Sequence, residues 1–329
     1  MGLEILLIIF FHFVEDCKVY NVRYGGFIRY FYEFIRSSGV DVFLVLSGLG
    51  LYYSWRKNQN YKLFLEKRFA RIMIPYLLVA ILAWGWRDLF VDRVGIIQFV
   101  KDVSFISLFT QGTKWFWYIF MMAICYLLFP IIYNWIDKSK NDKICGLKVC
   151  CVFLISTIFA WGLRTVWYDM YKNINILIYR FPMFIFGCWI GKLSYEKQEI
   201  EIVKLAATGV SIIILLSMLK AFSVDLVSNY LRTCWNVICC LIVMTSMTWY
   251  GQKRIGTFIY RILEWCGSYS LELYLIHVAV RRIMNILGYH TYRYSYEVIM
   301  LVFSALLSVL LKDVTRIIQT KGEKRNDKG

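Results

Sequence analysis

The stretch WFWYIFMMAICYLLFPIIYNWI, residues 115–136, contains no charged residue from end to end. About 20 consecutive apolar residues carry a helix across a bilayer, and a soluble protein seldom tolerates such a run. Its Trp-Phe-Trp-Tyr opening, just after Lys114, suits the aromatic belt that marks a membrane–water boundary. Working outward, similar runs recur along the chain at about 1–14, 39–55, 72–91, 147–168, 176–194, 202–222, 228–250, 267–287 and 295–312. Short polar clusters separate them. The pattern predicts an all-α, polytopic transmembrane helix bundle of about ten spans.

Composition agrees. Of 329 residues, 59% are hydrophobic and only 18% charged, against roughly 45–50% and about 25% in soluble domains. Three prolines in the whole chain favour long helices. A soluble enzyme, a disordered chain and a small disulfide scaffold are excluded. The net charge of +16 reads as the basic excess of cytoplasmic loops rather than a nucleic-acid surface. The even loops and the C-terminal end carry more Lys and Arg than the odd loops, which places both termini in the cytoplasm. Residues 1–316 read as one membrane-embedded domain, and 317–329 as a short, charged, disordered cytoplasmic tail. The adjacent pairs Cys150-Cys151 and Cys239-Cys240 lie in apolar runs without metal-ligand spacing, so the cysteines read as reduced thiols and no metal is expected.

Ionisable groups inside apolar spans are costly, and each is a candidate for function. His12 follows Ile8-Ile9-Phe10-Phe11, with Glu15 and Asp16 one helical turn on. A carboxylate bonded to one imidazole nitrogen leaves the other available as a base. Asp41 opens the second span, at the end where the first span finishes, and could meet His12 across a hairpin or cap its own helix. Gly39, Gly48 and Gly50 would permit close helix approach. Arg68 and Arg71 present two guanidinium forks to one face, suited to phosphates and equally to ordinary basic decoration. Tyr179-Arg180-Phe181-Pro182 sets a cation beside a helix breaker in the sixth span. Ser270-Leu271-Glu272-Leu273-Tyr274-Leu275-Ile276-His277 sets His277 near the middle of the ninth.

In order and spacing, these segments resemble the acyltransferase 3 family of integral membrane O-acyltransferases. The resemblance runs through the apolar stretch ending at His12, the Val40-Asp41-Val42-Phe43…Ser47-Gly48 core, Arg68/Arg71-Ile72…Pro75, Trp115…Pro130, Arg180-Phe181-Pro182…Gly187 and Ser270…Tyr274…His277. It covers about 280 residues. It implies transfer of an acyl group, usually acetyl, from a cytoplasmic donor such as acetyl-CoA to a hydroxyl of a surface polysaccharide or lipid-linked glycan. It implies His12 as catalytic with Asp41 beside it, Arg68 and Arg71 as the donor-binding pair, and Arg180 with His277 toward the substrate. A multi-pass plasma (cell inner) membrane protein is expected, its partners being the acyl-CoA donor, the glycan acceptor and the lipid bilayer. Self-association is left open. The family usually carries an Arg eleven residues before the histidine, where this chain has Met1, and the expectation is a true start further upstream. The alternatives are a glycan or small-molecule transporter or flippase, and a catalytically dead, truncated relative.

Overall fold

The computed structural model describes residues 1–23, 25–28, 32, 39–139, 141–196, 238 and 257–326. The expected spans at 202–222 and 228–250 therefore lie outside the described residues, Ile238 excepted. Among the described residues the long elements are all helical: α1 (Gly2–Val19), α2 (Gly39–Lys57), α3 (Tyr61–Gly85), α4 (Ile96–Val103), α5 (Ile106–Thr110), α6 (Trp117–Asp137), α7 (Asp142–Val166), α8 (Tyr168–Tyr195), α9 (Thr257–Ser268), α10 (Ser270–Ile286) and α11 (Tyr294–Asn326). α3 continues as a π-helical turn over Trp86–Val91, in which the Asp92 amide donates to the Arg87 carbonyl five residues back.

Among the described residues five segments are long and apolar enough to cross a membrane: Tyr61–Val91, Trp117–Asp137, Asp142–Val166, Tyr168–Tyr195 and Tyr294–Thr320. They fall on five of the expected spans. α1, α2 and α10 fall on three more, but each is short and carries several charged side chains. All three prolines sit inside helices, at 75, 130 and 182, as packed membrane helices allow. The basic end of the chain, expected to be disordered, continues α11 as helix to Asn326.

The chain divides into two compact units, with boundaries that fall inside α6 and α9 among others. One comprises Met1–Arg29, Lys62–Ala123 and Ile262–Gly329. Its frame is α1, α10 and α11. α1 and α10 run parallel, since His12 meets His277 and, four residues on in both, Asp16 meets Arg281. α11 runs antiparallel to α10, with Met300 beside His277 and Lys312 reaching back to the Ser268 carbonyl.

The other unit comprises Tyr30–Tyr61 and Ile124–Arg261. Here α8 packs on both α2 and α7, and glycines set the first of these contacts. A Cβ on Gly187 would stand 2.1 Å from the Val45 carbonyl oxygen, and one on Gly48 2.3 Å from that of Phe184. The two backbones therefore touch directly, the close approach that small residues permit in membranes. Gly50, also a candidate for close packing, faces open space. Phe129, Tyr133 and Phe184 fill the core beside α2's Tyr52 and Trp55. α7 turns Leu154, Ile155, Ile158 and Phe159 outward, an apolar face suited to lipid.

Candidate active site

In the first unit α1 brings His12 against His277 of α10. The rings stack with centroids 5.2 Å apart and 14° between planes, and His12 Nδ1 lies 3.0 Å from His277 Nε2. His277 is fully buried, while His12 is half-buried. On its far side His277 Nδ1 is 3.0 Å from Met300 Sδ. This chain of contacts fixes the tautomers. A thioether sulfur has no hydrogen to give, so Nδ1 of His277 is the donor. Its Nε2 then offers a lone pair to His12 Nδ1–H. The Nε2 of His12 then keeps its lone pair. An imidazole so oriented can take a proton from a hydroxyl or attack an acyl carbon.

One helical turn along, Asp16 collects donors from three directions. Arg281 approaches through both Nε, at 2.8 Å, and Nη2. Asn285 Nδ2 donates at 3.1 Å, and Thr291 Oγ1 donates as well. The backbone makes this convergence local. Gly288, at φ +84°, closes α10 in a left-handed turn that L side chains rarely adopt. The chain then folds back, and the Thr291 amide donates to Asn285 Oδ1 at 3.1 Å. Arg281 also reaches Glu15 Oε2 at 2.7 Å. Both carboxylates that follow His12 are thereby held by one guanidinium. Glu297, in the first turn of α11, is buried in the same unit.

A second charged group lies at the π-helical turn. The Arg87 guanidinium is 2.6 Å from Asp88, 2.9 Å from Asp102 and 3.3 Å from Asp92. It lies over the Trp84 ring, 4.3 Å from its centroid, and Trp84 stacks on Trp115 at 4.1 Å. Arg282 lies over Trp115 in turn, 5.9 Å from its centroid.

Arg68 and Arg71 stand near the start of α3. Arg68 is half-buried with its guanidinium over the Phe64 ring, while Arg71 is exposed. Arg71 and Lys312 act electrostatically on Glu272 in the first turn of α10. At about 1.5 Å rise per residue, the His277 level is roughly 7 Å further along that helix. In the second unit Asp41, in the first turn of α2 and 1% exposed, pairs with Arg180 of α8 at 3.4 Å.

Of the six candidate residues, the structure brings together His12 with His277, and Asp41 with Arg180. Arg68 and Arg71 lie about one turn apart in the first half of α3. Sequence reasoning passed over Arg281, Arg282 and Met300. A signal for the arginines was present, since two adjacent cations inside the apolar stretch 267–287 are costly. Met300 gave none, because a methionine in an apolar run is ordinary. The family model for the acyltransferase domain matches residues 2–313, nearly the whole chain. No curated protein and no solved structure matches it.

Proposed function

The chain belongs to the acyltransferase domain family, and from that premise we propose that it moves an acetyl group from acetyl-CoA to a hydroxyl of a surface polysaccharide or lipid-linked glycan, in the plasma membrane. A membrane acyltransferase needs one base positioned among apolar helices. The observation that carries the reading is the His12–His277 pair, in which His277 Nε2 accepts from His12 Nδ1 and the His12 Nε2 lone pair remains to take a proton. His277 is assigned the orientation of that base, and Asp16, Glu15 and Asp41 are assigned to arginine partners.

Donor and base would then occupy one unit. Arg68 and Arg71 hold the CoA phosphates at the end of α3, and the thioester extends along the bundle to the imidazole. The acceptor hydroxyl gives its proton to His12 Nε2 while its oxygen attacks the thioester carbonyl. The tetrahedral intermediate collapses, the carbon–sulfur bond breaks, and the proton passes to the departing thiolate.

The test is CoA release from acetyl-CoA by membranes carrying the full chain, with a surface-glycan fraction as acceptor. His12→Ala should abolish glycan-dependent release while the protein still inserts. His277→Ala, which leaves the base present but unoriented, should cost about 100-fold or more in kcat, the scale on which positioned acid–base groups act. Full activity in His12→Ala sinks the reading.

A further inference from the structure

Three arginines gather at one end of the first unit, and they differ in their partners. Arg87 is within ion-pair distance of Asp88, Asp92 and Asp102. Arg281 is held by Asp16 and Glu15. Arg282 has no carboxylate within ion-pair distance among the described residues, and its Nε is buried without a hydrogen-bond partner. Its guanidinium lies over the Trp115 ring. That ring is itself fixed, by stacking on Trp84 and by the Tyr274 hydroxyl at its carbonyl oxygen.

Such an arrangement is costly. A half-buried guanidinium without a counter-ion gives up part of its hydration, and a cation–π contact offsets only some of that loss. Glu15 and Asp16 are close enough to act on Arg282 electrostatically, but Arg281 already holds both. Among the described residues the charge of Arg282 is therefore left without a carboxylate of its own. His12 lies within the electrostatic reach of that charge.

We propose that Arg282 holds the anionic oxygen formed when the acceptor attacks the thioester, which makes it the oxyanion-stabilising residue of the acyl transfer. The inference rests on the acyl-transfer reading above. As the acceptor oxygen bonds to the carbonyl carbon, its proton goes to His12 Nε2. The carbonyl π pair moves to oxygen, whose negative charge meets the guanidinium. Collapse restores the carbonyl, expels the CoA thiolate and returns the His12 proton to that sulfur. A preorganised donor that meets charge only as it develops acts on kcat. The rigid Trp84–Trp115 stack supplies the preorganisation.

The experiment uses the full chain in detergent micelles, with Arg282→Met and Arg282→Lys beside the wild type. Arg282→Met should lower kcat for glycan-dependent CoA release by about 100-fold or more, the usual cost of an oxyanion donor, with KM for acetyl-CoA unchanged. Arg282→Lys, which keeps charge but loses the fork, should recover part of that loss. A defect confined to KM would assign the charge to a fixed anion on a substrate and overturn the oxyanion role. Thermal unfolding supplies a readout free of turnover. Sodium acetate, a small carboxylate probe, should raise the wild-type midpoint and leave that of Arg282→Met unmoved, and equal responses overturn the anion site. Wild type that responds to acetate but releases no CoA would refute the acyl-transfer reading and keep the anion site. Failure of even Arg282→Lys to fold would make the arginine structural and overturn the proposal.

Discussion

The two units are built from helices of similar apolar character, yet the contacts around His12 in one and around Gly187 in the other differ in kind. In the unit of α1, α10 and α11 the contacts near His12 are polar: histidine on histidine, arginine on two carboxylates, amide and hydroxyl on Asp16. In the unit of α2, α7 and α8 the contact near Gly187 is backbone on backbone, with aromatic rings filling the remaining space. A charged network inside a membrane bundle is costly and fixes directions, which suits chemistry. Glycine contacts are cheap and fix distance, which suits a scaffold.

Substitutions in each unit test this contrast. The largest loss of stability is expected from Arg281→Met, which leaves Asp16 and Glu15 without their cation. Breaking a buried ion pair from one side costs about 3–5 kcal/mol. Thermal unfolding of the purified chain should show a large drop in midpoint, and Arg281→Lys should recover little because the two-pronged geometry is lost. An unchanged midpoint would mean the network does not hold the helices, and the contrast would break.

Gly187→Ala comes next. Its Cβ would meet the Val45 carbonyl oxygen, a backbone atom that moves only if α2 and α8 separate. Overpacking costs typically 1–3 kcal/mol, and this site belongs at the upper end. Gly50→Ala, into open space on the same helix as Val45, is the control and should be neutral or slightly stabilising. If both alanines behave alike in the unfolding measurement, glycine packing is not what sets that contact.

The smallest effect is expected from Tyr52→Phe. Its hydroxyl donates to Asp137 Oδ1 at 2.7 Å, while Arg56 also donates to the same carboxylate at 3.0 Å. The carboxylate keeps a cationic partner when the hydroxyl goes, so the loss should be about 1 kcal/mol. Arg56→Ala in the Tyr52→Phe background should cost more than in the wild type, and a double-mutant cycle reads the difference. Strict additivity would show the two groups to be independent.

Much of this was legible in the residues. Helices reveal themselves by apolar runs, so the elements from α6 to α8 lie close to where the sequence puts them. His12 was found because a histidine in an apolar run is costly wherever the run packs. His277 was found the same way, but its pairing with His12 was not. His277 lies 265 residues away, and nothing in the local pattern distinguishes a histidine that meets a substrate from one that meets another histidine. The same separation hides the Arg281–Asp16 contact. Asp16 and Glu15 stand one turn from His12 in sequence, and the structure gives both to Arg281 of α10. Among the glycines, Gly48 and Gly50 are two residues apart and indistinguishable as letters. Helical phase points only the first at α8.

Hydropathy, which depends on composition over some twenty residues at a time, determined by itself that this is a helical membrane protein and where many of its helices run. The order of its short motifs determined the family. Only the tertiary structure decided which buried charge answers which, and that Arg282 has no carboxylate within ion-pair distance among the described residues. Pairing across hundreds of residues depends on helix phase and direction, and the free energy of a buried charge is set by what lies within a few ångströms of it.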